Sequence, residues 1–190
     1  QVQDLAFEGM VAMATPSFSP DGRRLVFSGS DQAGLTDLYL VDLEDESLHA
    51  ISHDLYHDRD PDWSPDGQRI VFSSDRWKGG RQGLYNLFLY DVESEEILVL
   101  SHGEHNDAQP RWSPDGSEIV FSSDRDTMYN IYSVRLESGS NDERAGTRRL
   151  TSVLTGAFDP VLSADGETLF FSGFQSGGFQ IYELEMPVSD

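Results

Sequence analysis

Two short segments gather most of the side chains that could do chemistry. His53-Asp54-Leu55-Tyr56-His57-Asp58-Arg59-Asp60 and His102-Gly103-Glu104-His105-Asn106-Asp107-Ala108-Gln109 interleave imidazoles with carboxylates. Neutral imidazole and ionised carboxylate are the ligands of divalent cations, so His57, His105 and Asp107 drawn from adjacent loops would suit manganese, calcium or zinc. The spacing alone does not demand it. Neither His-x-x-x-His nor His-x-x-His in a loop is a specific metal signature, and a solvated polar loop has the same composition. The reading adopted is two polar loops with no cofactor, and the bound cation is the alternative.

Nucleophilic chemistry finds less support. The serines of the recurrent Ser-Pro-Asp-Gly phrase do not stand on a strand-to-helix elbow, and no Ser, His and Asp trio is singled out by spacing. The stretch Lys78-Gly79-Gly80-Arg81-Gln82-Gly83 lacks the Lys-Ser or Lys-Thr ending of a phosphate loop and is read as a flexible connection. Asp75-Arg76 and Asp124-Arg125 recur at the same place in two repeats, where the aspartate can bond the backbone of the next loop; both pairs are read as structural.

The elements that must position these residues are written as a repeat. Ser-Pro-Asp-Gly occurs at 19–22, 64–67 and 113–116, and Ser-Ala-Asp-Gly at 163–166, which puts the glycines 45, 49 and 50 residues apart. Proline presets φ, aspartate bonds its own backbone and glycine accepts the positive φ that follows, so each phrase is a hairpin turn. Ahead of it stand Pro16 and Phe18, Pro61 and Trp63, Pro110 and Trp112, Pro160 and Leu162, each pair read as a short strand beginning at its proline. Behind it come Leu25-Val26-Phe27, Ile70-Val71-Phe72, Ile119-Val120-Phe121 and Leu169-Phe170-Phe171, apolar on consecutive residues and therefore covered on both faces. Third strands follow at 37–41, 86–90, 130–134 and 180–184, and weaker fourth strands at 49–51, 98–100 and 148–150. Four strands per repeat of this length is the count of a propeller blade, and no segment carries a sustained helical period. The expected fold is all-β: a β-propeller of four blades of four antiparallel strands in one domain, with blades at 16–52, 61–101, 110–151 and 160–186.

These residues carry a resemblance. Pro61, Trp63 to Gly67, Asp75 and Arg76, and again Pro110, Trp112 to Gly116, Asp124 and Arg125, resemble the repeat of the TolB-like, WD-like β-propellers. The outer repeats depart from it: Phe18 and Leu162 replace tryptophan, Ala164 replaces the turn proline, and neither has an aligned Asp-Arg. The last repeat is short of a fourth strand, whereas Val2 to Ala6 stands spare at the N-terminus. Either that strand closes a four-bladed ring, or the chain is an excerpt of a larger propeller, whose halves could also pair into an eight-bladed ring.

Propellers bind at the channel mouth, where the loops leading into the innermost strands converge. The candidate contact residues there are His53, His57, Asp58, Asp60, His105, Asn106, Asp107 and Asp159. A second candidate is the long connection carrying Arg76, Trp77, Lys78 and Arg81, a basic and aromatic spot of the kind that anchors partners. Glu137 to Thr147 reads as a disordered tip. With 34 acidic residues against 13 basic ones the formal charge is −21, which repels nucleic acid and anionic lipid. Only Lys78 is lysine, a balance resembling that of proteins from salt-loving organisms. No apolar run is long enough to span a membrane, no signal peptide stands at the start, and zero cysteines exclude disulfides. The resemblance implies a non-catalytic scaffold for a protein or peptide, in the periplasm or elsewhere outside the cytoplasm of a bacterium. The alternatives are a metal-dependent carbohydrate lyase using the His and Asp loops, and an accessory or gating propeller of a larger peptidase.

Overall fold

The computed structural model describes residues 7–80, 83–136 and 146–186. Fifteen strands form four antiparallel sheets, and one 3-10 turn, Trp77–Gly80, is the only helical segment among the described residues. Blade one holds β1 (Met10–Phe18), β2 (Arg24–Asp31), β3 (Thr36–Asp42) and β4 (Leu48–Ala50). Blade two holds β5 (Asp58–Trp63), β6 (Arg69–Ser74), β7 (Asn86–Asp91) and β8 (Ile97–Val99). Blade three holds β9 (Asp107–Trp112), β10 (Glu118–Ser123), β11 (Asn130–Arg135) and β12 (Arg148–Arg149), and blade four β13 (Ala157–Leu162), β14 (Thr168–Gln175) and β15 (Gly178–Glu185). Among the described residues each blade is a meander in chain order, with four strands in the first three and three in the last.

The turn phrase folds as its residues dictate. In blade two the Gly67 N–H bonds the Ser64 carbonyl at 2.9 Å, Gly67 takes φ +70°, and the Ser64 hydroxyl donates to Asp66 at 2.6 Å while accepting from the Arg69 N–H. The same bonds recur at Ser19, Ser113 and Ser163. In each turn the serine hydroxyl, helped by a backbone N–H, holds the aspartate below its ordinary value. The serines are therefore turn fasteners.

The core lies between blades, one cluster to each seam. Alternation along the strands explains it: Ile70 and Phe72 face back with Val26, Leu38 and Trp63, whereas Val71 between them faces forward with Trp112, Ile119 and Phe121. Val120, Ile131, Ala157, Leu169 and Phe171 fill the third seam. Each Leu, Ile or Phe sealed there contributes roughly 1.5–3 kcal/mol relative to exposure.

The innermost strands correct one expectation. They do not begin at their prolines, which sit in mid-strand, because the residue before each proline turns to positive φ: Thr15 at 50°, Asp60 at 56°, Gln109 at 55° and Asp159 at 51°. A bulge results, seen as a register shift beside Pro16, Pro61, Pro110 and Pro160. The bulge excuses the proline from the ladder. It also places Asp58, Asp60, Asp107 and Asp159 on strands rather than in loops.

Among the described residues the arc is open: no strand of blade four pairs with blade one. The spare segment at 2–6 and most of the insertion at 137–147 lie outside the described residues. The open ends show what a neighbour would cover. Leu38, Leu87 and Ile131 are fully buried at equivalent positions of blades one to three, whereas Ile181 of blade four is 81% exposed; at the other end Phe18 is 62% exposed where Trp63 and Trp112 are buried.

Candidate functional site

The loops before β5 and β9 are held by the Asp-Arg pairs that end β6 and β10. Antiparallel pairing brings the end of β6 beside the start of β5, so the Asp75 carboxylate accepts from the His57 N–H at 2.8 Å, and Asp124 likewise accepts from the Asn106 N–H at 2.7 Å and its Nδ2 at 2.9 Å. The aspartates thus hold the loop of their own blade, not the following one. Arg76 donates to Asp58 at 2.6 Å and through Nε to Ser74; Arg125 donates to both oxygens of Asp107, at 2.9 and 3.0 Å, and through Nε to Ser123. The Arg76 guanidinium also lies over the rings of Tyr56, Phe72 and Phe88, and that of Arg125 over Phe121 and Tyr132.

Asp58 and Asp107 are fully buried beneath these arginines. Burial pushes the Asp107 carboxyl up, but His105, Arg125, Ser101 and Ser123 outweigh it and hold the group below its ordinary value. Both carboxylates are sealed from solvent and offer no surface to a protein partner. The aligned positions show why: blade four has Ala157 for the aspartate and Gln175 for the arginine, and blade one has Met13 and Asp31. A buried aspartate appears only where its arginine does.

The remaining channel residues divide. His53 is the most solvated, with its Nδ1 3.8 Å from Asp37, and His105 Nε2 lies 3.3 Å from Asp107. His57, His105 and Asp107 are not gathered into one ligand set. Asp60 and Asp159 stand on the bulges with Thr15 and Gln109. Asp159 accepts from the Ser172 hydroxyl at 2.8 Å and from the Gln109 side-chain amide, and its N–H donates to Gln109 Oε1 at 3.0 Å, tying blade four to blade three. Burial raises Asp60 against the pull of Arg59 and Arg111. Past the bulges the Trp63 N–H donates to the Ser17 hydroxyl at 3.3 Å and the Trp112 N–H to Asp62 at 2.9 Å, while the Ser17 hydroxyl itself donates to Asp62 at 3.1 Å.

The basic aromatic connection is engaged within the chain. Trp77 packs against the first-seam core and its ring lies 4.9 Å from that of His102, and Lys78 pairs with Glu104 at 3.4 Å. Arg76 is the buried pair just described. Arg81 lies outside the described residues.

Sequence reasoning missed Asp37. One oxygen each of Asp37, Asp54 and Asp58 lies within 4.8 Å of the other two, and among the described residues these form the only cluster of three metal-capable side chains. The signal was present: the strand position held by Asp37 is Asn86 and Asn130 in blades two and three.

Residues 4–87 match the family model of the TolB beta propeller domain, and residues 64–165, more than half of the chain, match that of the dipeptidyl peptidase IV N-terminal region. The chain belongs to the TolB-like β-propeller repeat family and to that of the dipeptidyl peptidase IV N-terminal region. No curated protein sequence matches it. Among solved structures this TolB-like chain is similar to TolB from Acinetobacter baumannii (TM-score 0.74, 22% identity, covering 92% of this chain and 41% of that one). It is also similar to a puromycin-hydrolyzing peptidase from Mycobacterium tuberculosis (0.72, 16%, 96% and 28%) and to oligogalacturonate lyase from Vibrio parahaemolyticus (0.70, 17%, 95% and 52%). At such identities the likeness is one of fold. The chain spans less than two thirds of each of these proteins.

Proposed function

We propose that the chain is a non-catalytic scaffold that binds a protein or an extended peptide, working in the bacterial cell envelope as the TolB likeness implies. The observation that carries this reading is the open end of blade four. Among the described residues β15 is eight residues long, pairs only with β14, and leaves bare the side on which β4, β8 and β12 complete the other blades. An unpaired edge with Phe179 69% and Ile181 81% exposed suits an added strand, main-chain bonds giving affinity and alternate side chains giving choice.

Selection of peptides from a displayed library tests it. Extended peptides with alternate apolar residues are expected, bound by the chain and lost in Ile181→Asp, whose exposed side chain the fold does not need. Binders indifferent to Ile181→Asp, or none at all, count against the proposal. Deleting residues 1–6 tells a foreign strand from the chain's own, since binding that strengthens on deletion means that the N-terminal segment competes for the edge. A further blade supplied by a second copy is the self-association reading, checked by a solution mass above 21.2 kDa.

A second reading has its own support. The match to the dipeptidyl peptidase IV N-terminal region and the likeness to a peptidase of which this chain covers 28% fit an accessory propeller of a larger peptidase. A longer protein that carries a hydrolase domain and loses selectivity between short and long peptides when the propeller is cut away would favour it. The lyase reading has less behind it, because its histidines stand apart.

A further inference from the structure

The seam between blades one and two carries more negative charge than the repeat requires. In the next seam the place of Asp37 is taken by Asn86, that of Asp54 by Gly103 and that of Asp58 by Asp107. Asp58 and Asp107 each have their arginine. Asp37 and Asp54 are therefore two carboxylates added where the neighbouring seam folds with an amide and no side chain.

Arg76 is the one full cation set among the three, 2.6 Å from Asp58 and 3.4 Å from Asp54, while His53 sits on the solvent side. Three carboxylates share one guanidinium, and of the two that lack an arginine of their own Asp37 is 2% exposed and accepts the Asp54 N–H at 3.3 Å. Unpaired charge in such a place is costly. A second, separate observation points to a ligand: Asp58 Oδ1 is sealed from solvent and no donor reaches it, although the other oxygen is taken by Arg76. A carboxylate of the cluster thus carries a buried oxygen that is unused.

We propose that Asp37, Asp54 and Asp58 hold a hard divalent cation of the calcium type, which ties β3 of blade one to the loop and first strand of blade two. The donors are carboxylate oxygens, the preference of calcium rather than of zinc. This site is distinct from the His57, His105 and Asp107 set, which the fold leaves dispersed. Its role is to lock a seam, not to catalyse. Burial raises the Asp37 carboxyl above its ordinary value, against the Asp54 N–H that it accepts and with the charges of Asp58 and Asp54 adding to the effect.

The test compares the wild-type chain with Asp37→Asn and Asp54→Gly, which install the residues that the next seam uses. Melting is followed in chelator, magnesium and calcium at one fixed ionic strength. Calcium is expected to raise the wild-type melting temperature by about 3–6 °C at tenfold excess over its dissociation constant, and to leave both variants within about 1 °C of their chelator values. Terbium emission sensitised by tyrosine, with Tyr56 lying in the same loop, should saturate near one equivalent in the wild type and be displaced by calcium. Equal calcium shifts in all three proteins would mean only screening of an acidic surface and would overturn the proposal. So would the lack of any calcium shift. Should a variant fail to fold, the terbium titration of the wild type decides, and a diffuse signal that does not saturate overturns the site.

Discussion

Residue by residue, Asp58, Asp107 and Asp159, which read as loop ligands, bond within and between the blades. The Arg125 pair illustrates this. Removing one partner of a buried ion pair leaves an uncompensated charge, so Arg125→Ala should cost about 3–5 kcal/mol in denaturant unfolding. The combination Asp107→Ala with Arg125→Gln copies Ala157 and Gln175 of blade four and should recover most of that loss; a double variant as unstable as the single one would refute the pairing. The acid limb of the stability curve belongs to the same scale. Asp21, Asp66, Asp115 and Asp165 have lowered folded-state values, so the stability that they contribute is present above about pH 4 and disappears as pH falls through those lowered values. Asp62, raised by burial, acts with the opposite sign, its proton uptake favouring the fold as pH falls. Asp66→Asn with Asp115→Asn should therefore make the decline of melting temperature from about pH 5 to about pH 3 shallower, and an unchanged slope would show that these turns are not titrating.

Among the elements, the strand is the unit whose sequence reads most clearly. Three consecutive apolar residues such as Ile70-Val71-Phe72 serve two seams at once, and the Trp that ends β5 and β9 closes the seam behind it, Trp63 under Arg24 and Trp112 under Arg69. Trp112→Ala should lower stability by roughly 3–5 kcal/mol, with urea unfolding as the measure, and a loss below about 1 kcal/mol would place the ring outside the core. The bulges were not legible. A residue before proline is expected to be extended, and nothing local says that Thr15, Asp60, Gln109 and Asp159 turn the other way; neighbouring strands impose it, through Ser28 on Thr15, Ser122 on Gln109 and Ser172 on Asp159. For the same reason Asp58 and Asp107 read as loop carboxylates: their distance in sequence from Arg76 and Arg125 hides a contact that antiparallel pairing creates. Trp77 likewise looked outward because the ring that it meets, His102, belongs to the next blade.

For the molecule as a whole, −21 is a self-repulsion that the packed blades must withstand. Screening shortens its range to about 3 Å in molar salt, so thermal stability should climb from dilute buffer to about 2 M potassium chloride, and a flat profile would count against the reading of the acid-rich, lysine-poor composition as a high-salt adaptation. The direction of the inter-blade bonds has another consequence. Ser17 accepts from Trp63 and Asp62 from Trp112, but the next place in this series is Arg111, which accepts nothing. These two main-chain bonds run from a later donor to an earlier acceptor, whereas the Ser17 hydroxyl donates forward to Asp62 and the Gln109 amide forward to Asp159, so the seams are tied in both directions. A cut at any seam therefore leaves both donors and acceptors without their partners, whichever end the missing blade comes from.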